Sequence, residues 1–187
     1  MNKTIKLGSL AGLKILAKPT ALIATLVLWL VFTLIGQKVF KLSLKQAILG
    51  GFIVTELHWV SEFWHHFGHA QAAKQTGYPM SGICANGPIA ASLYPPDEPT
   101  LLGPIHIKRA LGGPIASGLL ALVLAVLTLA ARPLGGITLM ATSLAFFDNF
   151  FVLTLGAFLP LGFTDGSTIL NYWNRSAAPN QWVTISE

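Results

Sequence analysis

Residues 44–73 read LKQAILGGFIVTELHWVSEFWHHFGHAQAA. The stretch is long and largely apolar, which predicts a helix that crosses a membrane, and Gly77 and Pro79 follow it as a stop signal. Unlike an ordinary span it carries several Glu and His side chains: Glu56, His58, Glu62, His65, His66 and His69. Ionisable residues inside a bilayer cost about 2.5–3.5 kcal/mol each on insertion scales, so we predict that this helix holds a functional site.

The composition of the 187-residue chain is that of a membrane protein. Hydrophobic residues make up 53% of the chain and charged residues only 10%, whereas soluble domains carry about 25% charged residues. Residues 19–37 and 110–131 contain no charged residue, and each stretch is long enough to cross a hydrocarbon core of about 30 Å. These features exclude a soluble globular enzyme and a disordered chain. The single cysteine, Cys84, excludes an intramolecular disulfide and a cysteine-based zinc site.

The pattern of apolar stretches predicts an all-α integral membrane protein with about four transmembrane helices. We place these spans at residues 19–39, 44–73, 106–131 and 134–158. The last of them is interrupted by Asp148 and Asn149. Residues 77–105 are rich in Gly and Pro and are too short for a further span, so they are expected to form a loop or small β-hairpin at the membrane face.

The ends of the chain are more polar than its middle. We predict a basic N-terminal leader at residues 1–18, compatible with an interfacial helix, then a single transmembrane domain at 19–173 and a polar tail at 174–187. With the N-terminus in the cytoplasm, eight Lys and Arg residues lie inside and four outside, which favours that orientation. The expected partners are the lipid bilayer and other membrane subunits. The net charge of +5 flanks the apolar runs, and no soluble basic domain is available to bind nucleic acid.

The polar residues of span two share one face of the predicted helix. His58, Glu62, His65 and His69 are separated by four, three and four residues, which makes one continuous stripe. His65 and His69, one turn apart, can both bind one metal ion, although a buried polar stripe that bonds to neighbouring helices is the plainer alternative. Asp165 follows a Pro- and Gly-containing break, where irregular backbone can line a polar cavity. We therefore predict His65, His69 and Asp165 as zinc ligands.

Three motifs in this order resemble the site-2 protease family of intramembrane zinc metalloproteases. Residues 65–70, HHFGHA, resemble the family's zinc helix H-E-x-G-H-A, residues 112–116 its G-P-x-x-N/S segment, and residues 159–166, LPLGFTDG, its L-P-x-x-x-x-D-G motif. The resemblance covers about residues 50–172. It implies a three-helix catalytic core, here with one added N-terminal helix, in which the same three residues hold zinc at membrane depth.

The sequence departs from the family pattern at two catalytic positions. The family's general base is the Glu after the first zinc-binding His, and here that position is His66. Histidine can carry protons in principle, and Glu62 lies one turn earlier on the stripe, so both are catalytic candidates. The Asn that the family places three residues before the Pro is Ala157. The resemblance therefore implies a degenerate protease.

Three functions stay open at this point. The first is a catalytically impaired pseudoprotease that acts as an accessory or structural subunit of a membrane complex, with zinc retained or absent. The second is an active intramembrane zinc metalloprotease that cleaves transmembrane segments with His66 or Glu62 as the base. The third is a membrane subunit in which a span-two histidine ligates haem or a chlorophyll-type pigment. Glu62 and His65 also have the spacing of a di-iron helix, but the sequence has no second Glu-x-x-His.

Overall fold

The computed structural model describes residues 4–173, and the tail predicted at 174–187 lies outside them. The described chain is mostly helical and has one small sheet. Its helices are α1 (Pro19–Lys38), α2 (Leu44–Gln75), α3 (Gly103–Ala131), α4 (Gly136–Phe147) and α5 (Asp165–Tyr172). After α4 the chain continues as a π-helical segment (Asp148–Leu155) and a 3-10 turn (Gly156–Phe158), so the fourth predicted span is modified where Asp148 and Asn149 interrupt it.

Within residues 4–173, three helical segments are long and apolar enough to cross a membrane: α1, α3 and the segment Gly136–Phe158. The second predicted span, α2, is not among these three: it has 32 residues, but its His and Glu side chains lower its hydropathy. It lies between α1, α3 and α4, where most of these polar side chains are buried. Many Leu, Ile and Val side chains of α1 and α3 are exposed, which indicates a lipid environment. The predicted fold class, a helical integral membrane protein, is confirmed.

A four-stranded sheet joins the segment before α1 to the segment after α2. Its strands are β1 (Ile5–Leu10), β2 (Leu13–Ala17), β3 (Gly82–Asn86) and β4 (Ile89–Leu93), in that spatial order. β1 with β2 and β3 with β4 are antiparallel hairpins, and β2 pairs with β3 in parallel. The hairpin expected within 77–105 is thus present. The interfacial helix considered for the leader is wrong: the leader forms β1 and β2, because β3 supplies a hydrogen-bonding partner that local sequence does not reveal.

Helices α2 and α3 cross at two glycines. A Cβ atom on Gly68 would overlap the carbonyl oxygen of Gly112, and a Cβ on Gly112 would overlap the carbonyl oxygen of Gly68. The two backbones are therefore in direct contact, as small residues allow in membrane helices. This close crossing brings the histidines of α2 against the backbone of α3.

Candidate metal centre

The three predicted ligands meet where α2 faces the start of α5. His65 and His69 lie one turn apart on α2, and Asp165 is the first residue of α5. The carboxylate of Asp165 lies 3.3 Å from His65 Nε2 and 3.4 Å from His69 Nε2, and the two Nε2 atoms are 3.0 Å apart. Both histidines are buried and Asp165 is half-buried. The helical spacing and the break before α5 therefore bring together the residues that the sequence singled out.

The separations of these atoms suit a tetrahedral ion. Ligands about 2.0–2.1 Å from zinc are separated by about 3.3 Å in a tetrahedron. Here the two Nε2 atoms lie 3.0 Å apart, Oδ2 of Asp165 lies 3.3 Å from His65 Nε2, and the other carboxylate oxygen, Oδ1, lies 3.4 Å from His69 Nε2. Two imidazoles with one carboxylate form a donor set for zinc rather than for magnesium or calcium, which prefer oxygen ligands. Three protein ligands also leave a fourth position open, as in catalytic zinc sites.

The other ring nitrogen of each histidine has a partner on α3. His69 Nδ1 lies 2.8 Å from the carbonyl oxygen of Arg109, to which it donates when protonated, and 3.2 Å from the backbone N–H of Gly113, which donates to it in the other tautomer. His65 Nδ1 lies 3.0 Å from Ser117 Oγ. Such contacts fix which nitrogen faces a metal and hold the ring in place. The orientation of both rings thus favours Nε2 as the ligand atom.

We expect Ser117→Ala to weaken zinc binding about tenfold, because His65 loses the hydroxyl that holds its ring. The measurement is a competition titration with a zinc chelator in detergent. Ser9→Ala, which removes an exposed hydroxyl of β1, is the control and should leave the affinity unchanged. Equal affinity in the two variants would show that Ser117 does not orient His65.

Gly113 provides the space that the imidazoles occupy. A Cβ atom at this position would collide with Nε2 of both His65 and His69. Any larger residue would therefore displace the two ligand atoms. The sequence indicated this glycine only through the resemblance of residues 112–116 to the family motif, and the structure supplies its physical reason.

The two catalytic candidates contact strand β4. His66 Nδ1 lies 3.0 Å from Ser92 Oγ, and His66 Nε2 lies 3.9 Å from a carboxylate oxygen of Glu62. The same oxygen of Glu62 accepts a hydrogen bond of 2.7 Å from the backbone N–H of Ala90. Both side chains are buried. The group of potential metal ligands found within residues 4–173 contains neither of them.

Arg109 is the residue near the site that the sequence did not indicate. The Arg109 side chain is 4% exposed and forms a bidentate ion pair with Glu98. It also donates to the carbonyl of Tyr78 and lies 4.2 Å from the ring centre of Tyr94. Burial raises the pKa of the Tyr94 phenol, although the charge of Arg109 acts in the opposite direction. The Arg109 side chain thus joins the 77–105 segment to α3, at the residue whose backbone carbonyl contacts His69. These residues are distant in the sequence, and the fold brings them together.

Two cavities reach the site from different directions. The first, about 470 Å³, is mainly apolar and extends from Asp165 and His66 to Phe151 and Phe163, with Ala157 in its wall. The second, about 640 Å³, has a more polar lining. Its wall includes Tyr94, Glu98, His106 and Arg109 as well as Asp165. The centre therefore lies between an apolar and a polar space.

Comparison with known proteins shows the fold. The sequence matches no protein-family model and no curated protein. Among solved structures it is similar to the site-2 protease from Methanocaldococcus jannaschii, with a TM-score of 0.61 and 19% sequence identity. The similarity covers 90% of this chain and 70% of that one. The chain is therefore an integral membrane protein with a site-2-protease-like fold.

Proposed function

We propose that the chain is a zinc-binding membrane protein that does not cleave peptide bonds and acts as an accessory subunit of a membrane complex. One observation carries the proposal: His66 Nδ1 shares a hydrogen bond of 3.0 Å with Ser92 Oγ. His66 occupies the position at which the resembled family has its Glu base. The contact holds the imidazole against β4 and leaves only Nε2 to carry a proton, which supports a structural role for His66 in place of the family's carboxylate base.

Glu62 does not supply the missing base. Its carboxylate accepts a hydrogen bond from the backbone of Ala90. Helical side chains lean toward the N-terminus of their helix, which places Glu62 one turn further from Asp165 than the residue at position 66. Zinc at this centre would supply Lewis acidity, but hydrolysis also needs a positioned proton carrier worth about 10²–10⁴-fold in rate. A retained fold without that carrier suits a subunit that binds rather than cleaves.

The proposal is tested by a gain of activity. The double variant His66→Glu, Ala157→Asn restores the two family residues, and we expect it to cleave a fluorogenic peptide with one Gly- and Pro-interrupted transmembrane segment. Its rate should exceed that of the wild type by at least about a hundredfold, the usual contribution of a general base. The wild type should not exceed the same chain with His69→Ala. Cleavage by the wild type that is lost in His69→Ala would contradict the proposal.

One contact favours the second candidate, an active intramembrane zinc metalloprotease. Glu62 and His66 lie 3.9 Å apart and both line the apolar cavity beside Asp165. A carboxylate next to an imidazole can raise its basicity, as in other acid–base pairs. The same assay separates the two candidates, because an active enzyme would lose its rate in His66→Ala and a pseudoprotease has no rate to lose.

A further inference from the structure

Three polar side chains of α2 contact three alternate residues of the β3–β4 hairpin. His58 Nε2 lies 2.8 Å from the carbonyl oxygen of Pro88, to which it donates. Glu62 accepts from the backbone N–H of Ala90 at 2.7 Å. The third contact is the hydrogen bond of His66 to the hydroxyl of Ser92 described above. Residues 58, 62 and 66 of α2 thus contact residues 88, 90 and 92 of the hairpin in the same order, so the helix and β4 run in the same direction.

The four-residue spacing on α2 and the two-residue spacing on the hairpin cover nearly the same distance when the helix and the strand run side by side. Four helical residues advance about 6 Å and two strand residues about 6.6 Å. A helix with a polar side chain every fourth residue can therefore reach every second residue of a parallel strand. This match accounts for the spacing of His58, Glu62 and His66, and it separates them from His65 and His69, which face α3 and Asp165.

Strand β4 is an edge of the sheet: it pairs with β3 on one side, and no strand of the described residues pairs with its other side. The N–H of Ala90 and the carbonyl of Pro88 point away from β3 and are bound by α2. An edge strand with free backbone groups is a place where an extended peptide can add. Here α2 already binds two such groups, the Ala90 N–H within β4 and the Pro88 carbonyl just before it.

We propose that His58, Glu62 and His66 form a docking ladder that holds β4 along α2 and closes this edge of the sheet to another strand. The ladder gives the residue at position 66 a structural role, since His66 binds β4 in place of acting at the metal. Asp148 supports it by contacting His58 Nδ1 at 3.1 Å. The proposal concerns α2 and β4 alone, so it goes beyond the metal centre and does not require bound zinc.

Hydrogen exchange in detergent tests the docking. Glu62→Met removes the acceptor of the Ala90 N–H, and we expect exchange in residues 89–93 to become about tenfold faster. Glu62→Gln keeps an acceptor oxygen and should exchange within about twofold of the wild type. Glu56→Met changes an exposed glutamate of the same helix and is the matched control. Unchanged exchange in a folded Glu62→Met protein would overturn the proposal.

Photo-crosslinking tests the closed edge. A photoreactive residue replaces the exposed Ile89, and the probe is a synthetic hydrophobic peptide of alternating Val and Thr. We expect little crosslinking when Glu62 is present and a several-fold increase in the Glu62→Met variant. Equal crosslinking in the two proteins would overturn the proposal that this edge is closed. If Glu62→Met does not fold, Ser92→Ala removes one contact from the strand side and should also increase both signals. Zinc content, measured in every variant, keeps failure of the ladder distinct from failure of the metal centre.

Discussion

Replacement of His69 by Ala is expected to remove bound zinc, from about one ion per chain to less than about a tenth. His69 supplies one of three ligand atoms, and two remaining ligands hold zinc far more weakly. Its Nε2 lies 3.0 Å from that of His65 and 3.4 Å from the Asp165 carboxylate, and the group of convergent ligands among the described residues has no fourth member. The measurement is elemental analysis of protein purified without chelators, with the wild type beside the variant.

His106→Ala is the matched control for this experiment. It removes an imidazole that stacks on Tyr172 at 3.9 Å between ring centres and is not among the three convergent ligands. We expect it to keep its zinc. A wild type without zinc, from a folded preparation loaded with the ion, would contradict the metal proposal. An absorption spectrum of the same samples tests the alternative, because a haem or chlorophyll-type pigment on a span-two histidine would colour the protein.

His65 and His69 could be paired as candidate ligands from the sequence because the information that pairs them is local. His65 and His69 share a helical face by their spacing alone, and a membrane leaves few reasons to bury two imidazoles together. The sequence contains few acidic residues outside span two, and Asp165 follows a helix break. The structure adds that Asp165 begins α5 and that its carboxylate meets both Nε2 atoms.

The features that the sequence did not indicate depend on contacts between distant segments. The leader forms strands because β2 pairs with β3, whose residues lie 68 positions further along the chain, and the local pattern of Gly and Leu residues cannot reveal that partner. The role of Ser92 as the partner of His66 likewise needs β4 to lie along α2. Glu98 was interpreted as part of a solvated loop, and it is the half-buried partner of the buried Arg109. In each case the partner lies far along the chain, so the local sequence could not reveal it.

Gly68→Ala is expected to destabilise the protein by about 3 kcal/mol or to prevent its folding. The new Cβ would overlap the carbonyl oxygen and carbon of Gly112, and it would lie 2.6 Å from the Cβ of Ala116. The first two atoms are backbone, so no rotamer change can relieve the overlap and the two helices must separate. Alanine in a helix interior gains about 1 kcal/mol over glycine, which is smaller than this cost.

Gly118→Ala separates the crossing from helix propensity. Gly118 lies on α3, the partner helix of Gly68, but its Cβ would lie 3.5 Å from Thr154, an ordinary van der Waals contact. It should therefore be neutral or slightly stabilising, whereas Gly68→Ala lowers the unfolding temperature measured by circular dichroism in the same detergent. Separation at Gly68 would also move His65 and His69, which flank it, away from Ser117 and the carbonyl of Arg109, so zinc affinity should fall with stability. A Gly68→Ala protein as stable as Gly118→Ala would mean that α2 and α3 are not in backbone contact, and the arrangement that positions the metal ligands would then be wrong.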